Sequence, residues 1–481
     1  MGGRGLGTRI LVDAIDPRID PLSPQNVLAI SPGPLTGTTL PLCSRYDVVT
    51  KSPLTGTITS ANSGGFFGVE LKRAGLDAVV IHGQAKSPVF LLIRDGSAEL
   101  RDAVPYWGMI TSETTRRMLE DLGDRRVKIA CIGPAGERLS RMASIMNDHA
   151  RAAGRGGVGA VMGSKHLKAV AVRGSRRLPV SDPGRLSAVR QEIQGKLEKS
   201  GITRGSLHHH GTSSLVNILN DNHVLPTRNF QISHFDQAEQ VSGETISETI
   251  LERVKGCYSC PVACGRVIRV GGHLKQGPEY ETIWSFGPDC GVDSLHWIII
   301  ANNLCNVLGL DTISTGSTIA CAMEMSEKGV IREKIRFGDG KMVADLVRMI
   351  GYREGIGDEL AEGSLRFATR YGHPEISMSV KGQEMPGYDP RGLQGQGLAF
   401  ATSVRGACHV YGNMFYPEVL GIPLKLDPLS NEGKAHWVKR LQDLNAAIDS
   451  SGICLFSSRS LGDEDYAAML SAVTGFSIDE N

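Results

Sequence analysis

Ala152-Ala-Gly-Arg-Gly-Gly-Val-Gly-Ala-Val-Met-Gly-Ser-Lys165 is the stretch on which the reading of the fold turns. Gly154, Gly156 and Gly159 match a G-x-G-x-x-G pattern, which in a dinucleotide-binding fold joins a strand to a helix. That fold needs a strand directly before the first glycine, and Asn147-Asp-His-Ala-Arg151 reads as polar and turn-like. The run also lacks the Gly-Lys-Ser/Thr order of a P-loop, so a nucleotide fold is disfavoured. The glycines still expose backbone N–H groups beside Arg151 and Arg155. We read this as an anion cradle in preference to a turn that merely packs on a sheet.

Upstream and around this run, short β-rich segments alternate with Gly and Pro: Val27–Ile30, Tyr46–Thr50, Ala78–Ile81, Val89–Ile93, Val127–Ile132 and Ala169–Val172. Beyond the basic stretch Gly174–Pro183, helical periodicity takes over in Gly184–Glu198, Ser247–Val254, Leu295–Leu308, Thr318–Lys328, Lys341–Ile350 and Ile356–Tyr371. A Gly/Pro-rich stretch, Val380–Gly397, interrupts it. The expectation is an α+β multidomain chain: a mainly β domain over 1–178, a helical domain over 179–385 and a second helical domain over 386–481.

At 481 residues and 41% hydrophobic composition the chain is long enough for two or three domains. Its 52 basic and 51 acidic residues leave no polyanion-binding surplus, which disfavours nucleic acid. No apolar run approaches the about 20 residues of a membrane span, and Asp13 and Asp16 arrive before any signal-like apolar stretch. A cytoplasmic location is therefore expected. Ten cysteines in such a chain are too sparse for a disulfide scaffold and point to metal or redox chemistry.

Cys257, Cys260 and Cys264 form a C-x2-C-x3-C group. Zinc would want a fourth Cys or His at short range, and none follows before His273. A 4Fe-4S cluster with a remote fourth ligand fits better than zinc or buried inert thiols. Spacing leaves Cys43, Cys131, Cys290, Cys305, Cys321, Cys408 and Cys454 open as that ligand. Two distant segments, Asn306-Val-Leu-Gly-Leu-Asp311 and Asp449-Ser-Ser-Gly-Ile-Cys454, share one shape.

These features occur with Pro32-Gly-Pro-Leu-Thr-Gly37, Ser44-Arg-Tyr46, Lys51-Ser-Pro-Leu-Thr-Gly56, Ala61-Asn-Ser-Gly-Gly65, Ile132-Gly-Pro-Ala-Gly-Glu137, Gly277-Pro-Glu-Tyr-Glu281 and Asp389-Pro-Arg-Gly392. In that order, along nearly the whole chain, they resemble the tungsten-containing aldehyde:ferredoxin oxidoreductases. The resemblance implies a tungsten held by two pterins, with molybdenum the alternative metal, beside a 4Fe-4S cluster on Cys257, Cys260, Cys264 and Cys454. It implies pterin contacts from the paired motifs, through Asn306, Gly309, Leu310 and Asp311 and through Asp449, Gly452 and Ile453. Arg45, Asn62, Gly64, Arg151 and Ala152 would surround the pterin phosphates, with backbone carbonyls of Asn62 and Ala152 on a bridging Mg2+. Glu281 and His409 would be the acid-base pair, with Tyr280 and Thr312 lining the pocket. An aldehyde would be the substrate and ferredoxin, or a similar redox subunit, the acceptor.

Departures from the resembled pattern carry expectations too. Asn306 stands where the family has Asp, so one pterin would be gripped by an amide instead of a carboxylate. Tyr411 replaces a family lysine, which bears on the substrate. The chain begins inside the family's first domain and ends early in its last, as a fragment or a compact variant. The positions matching the family's dimer-bridging iron ligands are Ile300 and Ala344, so a homodimer would lack that iron. His208-His-His210 reads as a structural or substrate-proximal loop in preference to a metal site. Reductive dearomatisation at the same cofactor, or an electron relay with the cluster but no pterin, are the alternative functions.

Overall fold

A computed structural model describes residues 2–478. β1 (Leu28–Pro32), β2 (Tyr46–Lys51), β3 (Ile58–Ser63) and β4 (Val79–Ile81) form an antiparallel sheet in the order β3-β2-β1-β4. β5 (Val89–Arg94), β6 (Ser97–Asp102), β7 (Lys128–Cys131), β8 (Ile145–Asn147), β9 (Arg151–Ala153) and β10 (Leu167–Arg173) form a second, ordered β6-β5-β10-β7-β8-β9. In it β5 and β10 run parallel and the other neighbours antiparallel. The six β-rich segments of the sequence are all strands here, and β3, β6, β8 and β9 were not foreseen. These four pair through backbone bonds that their side chains do not announce.

The turn-like reading of 147–151 holds at 148–150, but the expectation that no strand stands before the first glycine needs correction. β8 and β9 make a hairpin there, so a strand does precede Gly154. It is a three-residue antiparallel edge strand, however, and not the parallel strand of a nucleotide fold. The helix Val158–Ser164 follows, entered through Gly157 at a φ of 72°.

Helices Pro183–Lys199, Leu295–Leu308, Thr312–Glu327 and Gly340–Tyr352 match the helical periodicity. Two expected helices do not hold. Ser247–Val254 divides into the helix Gly243–Thr249 and β11 (Leu251–Lys255), which pairs with β12 (Gly265–Val270) and through it with β13 (His273–Gln276). Ile356–Tyr371 breaks into Ile356–Leu360 and Ser364–Arg370 at Gly363, where φ is 89°. A helix not foreseen, Gly3–Ala14, packs on β2, and Gly7 permits the approach because a Cβ there would stand 2.6 Å from Val49.

The largest core cluster lies in the helical part around Trp284, Phe286, Ile319 and Val347, and a second lies between the sheets around Ile30, Tyr46, Val161 and Val170. A third joins Leu40 and Leu42 to Ile193 and Leu207 and to Ile448 and Met469. Burying each such side chain contributes about 1.5–3 kcal/mol. The third cluster brings together parts of all three sequence segments, and it seats Cys454 beside the Cys257–Cys264 loop. No helix among the described residues is long and apolar enough to cross a membrane.

Candidate active site

The cysteine loop connects β11 to β12, tightened by left-handed Ser259 and Ala263 at φ of 50° and 47°. Its distant partner arrives through backbone. Leu42, itself at a φ of 64°, donates its N–H to Ser259 O at 3.3 Å and accepts from Cys454 N–H at 3.0 Å. Arg45 Nη2 then donates to Cys454 Sγ at 2.9 Å. Burial opposes the charge of Arg45, yet the thiols of Cys454, Cys257 and Cys264 outweigh it and push its pKa above the usual arginine value. Gly64 packs closely beside them, a Cβ there standing 3.1 Å from Cys257 Sγ and 3.3 Å from Arg45. Among the described residues no three of His, Cys, Asp and Glu close on a single ion.

Cys264, Cys454 and Arg45 open onto a cavity of about 620 Å³ between the sheets and the helical part. Edge strands β3 and β9 approach each other on its wall, bringing Asn62, Gly64, Arg151 and Ala152 to the cavity. An edge strand keeps carbonyls outside its ladder. Arg151 Nη2 is buried without a partner, and its nearest carboxylate, Glu279, is 3.7 Å away.

The paired motifs share one local structure. Leu295–Leu308 ends at left-handed Gly309 and Lys434–Ser451 at left-handed Gly452, with φ of 76° and 81°. Each glycine packs on a Gly-Pro turn. Gly133 backs onto Gly309 and Leu308, and Gly33 onto Gly452, with no room for a Cβ at either turn. Asn306, Leu310, Asp311 and Asp449 consequently face the cavity from two sides, while Gly309, Gly452 and Ile453 support from behind. Asp311 is already engaged: its carboxylate caps Ile313 and Ser314 N–H and pairs with Arg155 Nε at 3.2 Å.

Glu281 sits in the first turn of the helix Tyr280–Phe286, and His409 on the loop after Cys408. His409 Nδ1 is 3.6 Å from Glu281 Oε1. The other Glu281 oxygen accepts from Gly387 N–H at 3.1 Å. Burial, only partly offset by that N–H and by Arg155, raises Glu281 to about 8. Burial, helped by Arg155 and Arg405, lowers His409 to about 3. Tyr280 and Thr312 both line the cavity, the Tyr280 hydroxyl donating to Gly387 O and Thr312 Oγ1 accepting from Thr282 at 2.9 Å.

The glycine run serves packing more than anion binding. Cβ atoms at Gly159 and Gly163 would fall 2.5 Å from Ser144 O and 1.9 Å from Gly136 O, while Gly154 alone of the pattern faces the cavity. Arg155 is tied into the core by Asp311 and by Ala407 O and Glu384 O, so of the two flanking arginines Arg151 keeps a free donor. His208 and His210 bond Val262 O and Ser247 Oγ at 3.0 and 2.9 Å, with their rings splayed from His209. Sequence reading missed Tyr388 and Arg405, which line the cavity, and Arg4 and Asp47, which pack behind it against Asp449 and Asn62.

A β-rich half and a helical half closing on one large cavity, with Cys264 and Cys454 on its wall and Cys257 and Cys260 in the loop that carries Cys264, define the framework of a redox enzyme built to hold a large cofactor. The chain belongs to the aldehyde ferredoxin oxidoreductase family. Residues 1–174 match the model "Aldehyde ferredoxin oxidoreductase, N-terminal domain" and 188–481 match "Aldehyde ferredoxin oxidoreductase, domains 2 & 3". The chain is 50% identical over 486 residues to the tungsten-containing aldehyde ferredoxin oxidoreductase of Pyrococcus furiosus, covering 99% of this chain and 80% of that one. It is 49% identical over the same shares to the corresponding protein of Thermococcus kodakarensis. The BamBC active-site complex of benzoyl coenzyme A reductase, solved with 1,5-dienoyl-CoA, has the same fold at a TM-score of 0.84 and 24% identity, covering 100% of this chain and 82% of that chain.

Proposed function

We propose that this chain oxidises an aldehyde to a carboxylic acid at a bis-pterin tungsten centre and passes the electrons through a 4Fe-4S cluster to ferredoxin. The observation that carries this is the Glu281–His409 pair, whose facing atoms Glu281 Oε1 and His409 Nδ1 are buried without a hydrogen-bond partner at the wall of the cavity that also receives Cys264, Cys454 and Arg45. The residues present fit the group. Arg151 holds an unmet buried N–H suited to phosphate, and Asp449 a carboxylate that accepts no hydrogen bond among the described residues. Cys257, Cys260, Cys264 and Cys454 would hold the cluster. Asn306, Asp449, Arg45 and Arg151 would hold the pterins, and the carbonyls of Asn62 and Ala152 a Mg2+ between their phosphates. When bound, the tungsten centre supplies the oxidation of the carbonyl carbon and the cluster carries single electrons.

The protein's own part is proton handling and orientation. His409 is neutral and stands beside Glu281 on the cavity wall, where its ring nitrogen turned away from Glu281 is placed to orient a carbonyl group. Glu281 takes up the proton released as the carbon is oxidised, once it is ionised. The ring of Tyr388 lies roughly parallel to the His409 imidazole, centroids 5.9 Å apart, and packs beside it on the cavity wall. The test is elemental analysis of anaerobically purified protein combined with aldehyde-dependent reduction of ferredoxin. About one tungsten per four irons, with ferredoxin reduced, is expected. Iron without tungsten would leave an electron relay instead.

A further inference from the structure

Tyr411 is buried on the cavity wall, and two cations lie over its ring: the guanidinium carbon of Arg4 at 3.7 Å from the centroid and that of Arg405 at 4.4 Å. Arg4 comes from the helix Gly3–Ala14 and Arg405 from the loop before His409, so the ring ties opposite ends of the chain together. The Tyr411 hydroxyl donates to Ser60 O at 3.3 Å, an oxygen that Arg405 Nη1 also reaches. Arg405 Nη2 donates to Cys408 Sγ at 2.8 Å. What remains is unmet: Arg405 Nε and Arg4 Nη1 are buried with no partner.

Two carboxylates stand against these cations, and they differ. Asp47 is satisfied by Ser60 Oγ at 2.9 Å and Asn62 Nδ2 at 3.0 Å. Asp449 is approached by Arg4 Nη1 only to 3.7 Å, too far for a hydrogen bond, and faces the cavity. A buried ion pair that leaves its hydrogen-bonding positions open is poorly compensated, and a ligand that fills them is the remedy the site offers. A carboxylate accepts and a guanidinium donates, so side by side they complement an edge with an N–H donor next to a carbonyl. The 2-amino-4-oxo edge of a pterin has that pattern.

We propose that Tyr411 is a positioning residue for the cofactor: its ring holds Arg4 and Arg405 beside Asp449, so that carboxylate and guanidinium together read the amino-oxo edge of the pterin at the second paired motif. This rests on the pterin reading above. The aromatic face, not the hydroxyl, does the holding, because the cation is attracted to the ring's negative face.

The experiment compares Tyr411→Phe, Tyr411→Leu and Arg4→Leu with wild type, all purified anaerobically as holoenzyme. It measures tungsten and iron per chain, the fluorescence of pterin released by oxidation, and the cluster EPR signal. Tyr411→Phe should keep the wild-type tungsten and pterin. Tyr411→Leu and Arg4→Leu should lose both several-fold while iron and the EPR signal stay, which also reports that the chain has folded. Full loading of the two leucine variants overturns the inference, as does a loss in Tyr411→Phe equal to that in Tyr411→Leu. Loss of iron in step with tungsten would assign these residues to the fold and not to the pterin, and so overturns it too. A wild type without tungsten or pterin overturns the functional reading itself, whereas a loaded wild type with loaded variants overturns this inference alone.

Discussion

His409 Nδ1 and Glu281 Oε1 face each other at 3.6 Å, and neither atom has a hydrogen-bond partner among the described residues. Burial makes charge expensive for both, raising Glu281 to about 8 and lowering His409 to about 3. Near neutral pH the pair is therefore an uncharged acid and an uncharged imidazole, with a single labile proton between them. A buried carboxylate without a cation partner persists by this route, at the cost of being a base only above its raised pKa.

Aldehyde oxidation should accordingly rise with pH through about 8, because Glu281 holds its proton below that value and accepts one only above it. The pH profile of kcat/KM in wild type and in Glu281→Gln is the check. A flat wild-type profile across this range would remove Glu281 as the base.

Glu281→Gln and His409→Ala should each lower kcat by about 100- to 10,000-fold, the usual range for a general acid-base group. Tungsten and iron should remain bound, since neither side chain touches a cluster thiol. Near-normal turnover in either variant would exclude that residue.

Cys454→Ser should strip or destabilise the cluster even though the other thiols lie far away in sequence, because a hydroxyl replaces thiolate poorly on iron. It also exchanges the sulfur that accepts the Arg45 N–H for a hydroxyl oxygen, which can still accept it. Iron content and EPR decide, and an unchanged signal would leave the fourth ligand elsewhere.

Arg155→Met should destabilise the fold by about 3–5 kcal/mol, because it strands Asp311 as an uncompensated buried charge at the N-terminus of Thr312–Glu327. Denaturant titration measures it. A loss below about 1 kcal/mol would mean that the helix N-terminus alone satisfies the carboxylate.

Iron beyond the cluster is not expected, and any self-association should be insensitive to chelators. Ile300 and Ala344 offer no metal donors, and Ala344 is buried in the helix Gly340–Tyr352. Light scattering before and after chelation tests this, dissociation with loss of a fifth iron being the contrary result.

Much of this protein is written locally. The strongly apolar strands and the long amphipathic helices follow from periodicity, because side chains at spacing two or 3.6 meet one face. The Cys257–Cys264 group announces an inorganic cluster by spacing alone, and the recurrence of Gly309 and Gly452 in two similar segments announces matched turns, since a left-handed helix end selects glycine. The edge strands β3, β6 and β9 escaped this reading because edge pairing is made by backbone, and the glycine run misled because a glycine needed for close packing and one needed for anion contact look the same in sequence.

Pairings across hundreds of residues belong to the tertiary structure. Spacing left seven cysteines open as the expected fourth ligand, and it is the packing of Leu40 and Leu42 in one cluster with Ile193 and Ile448 that brings Cys454, the one proposed for that role, to Arg45 and the cysteine loop. The charge states of Glu281 and His409 were equally invisible, because a pKa depends on the water and charges around a group and not on its neighbours in the chain. Arg4 and Arg405 over one tyrosine ring are the extreme case: two unremarkable arginines become one device only when the first helix and the His409 loop are folded onto the same wall.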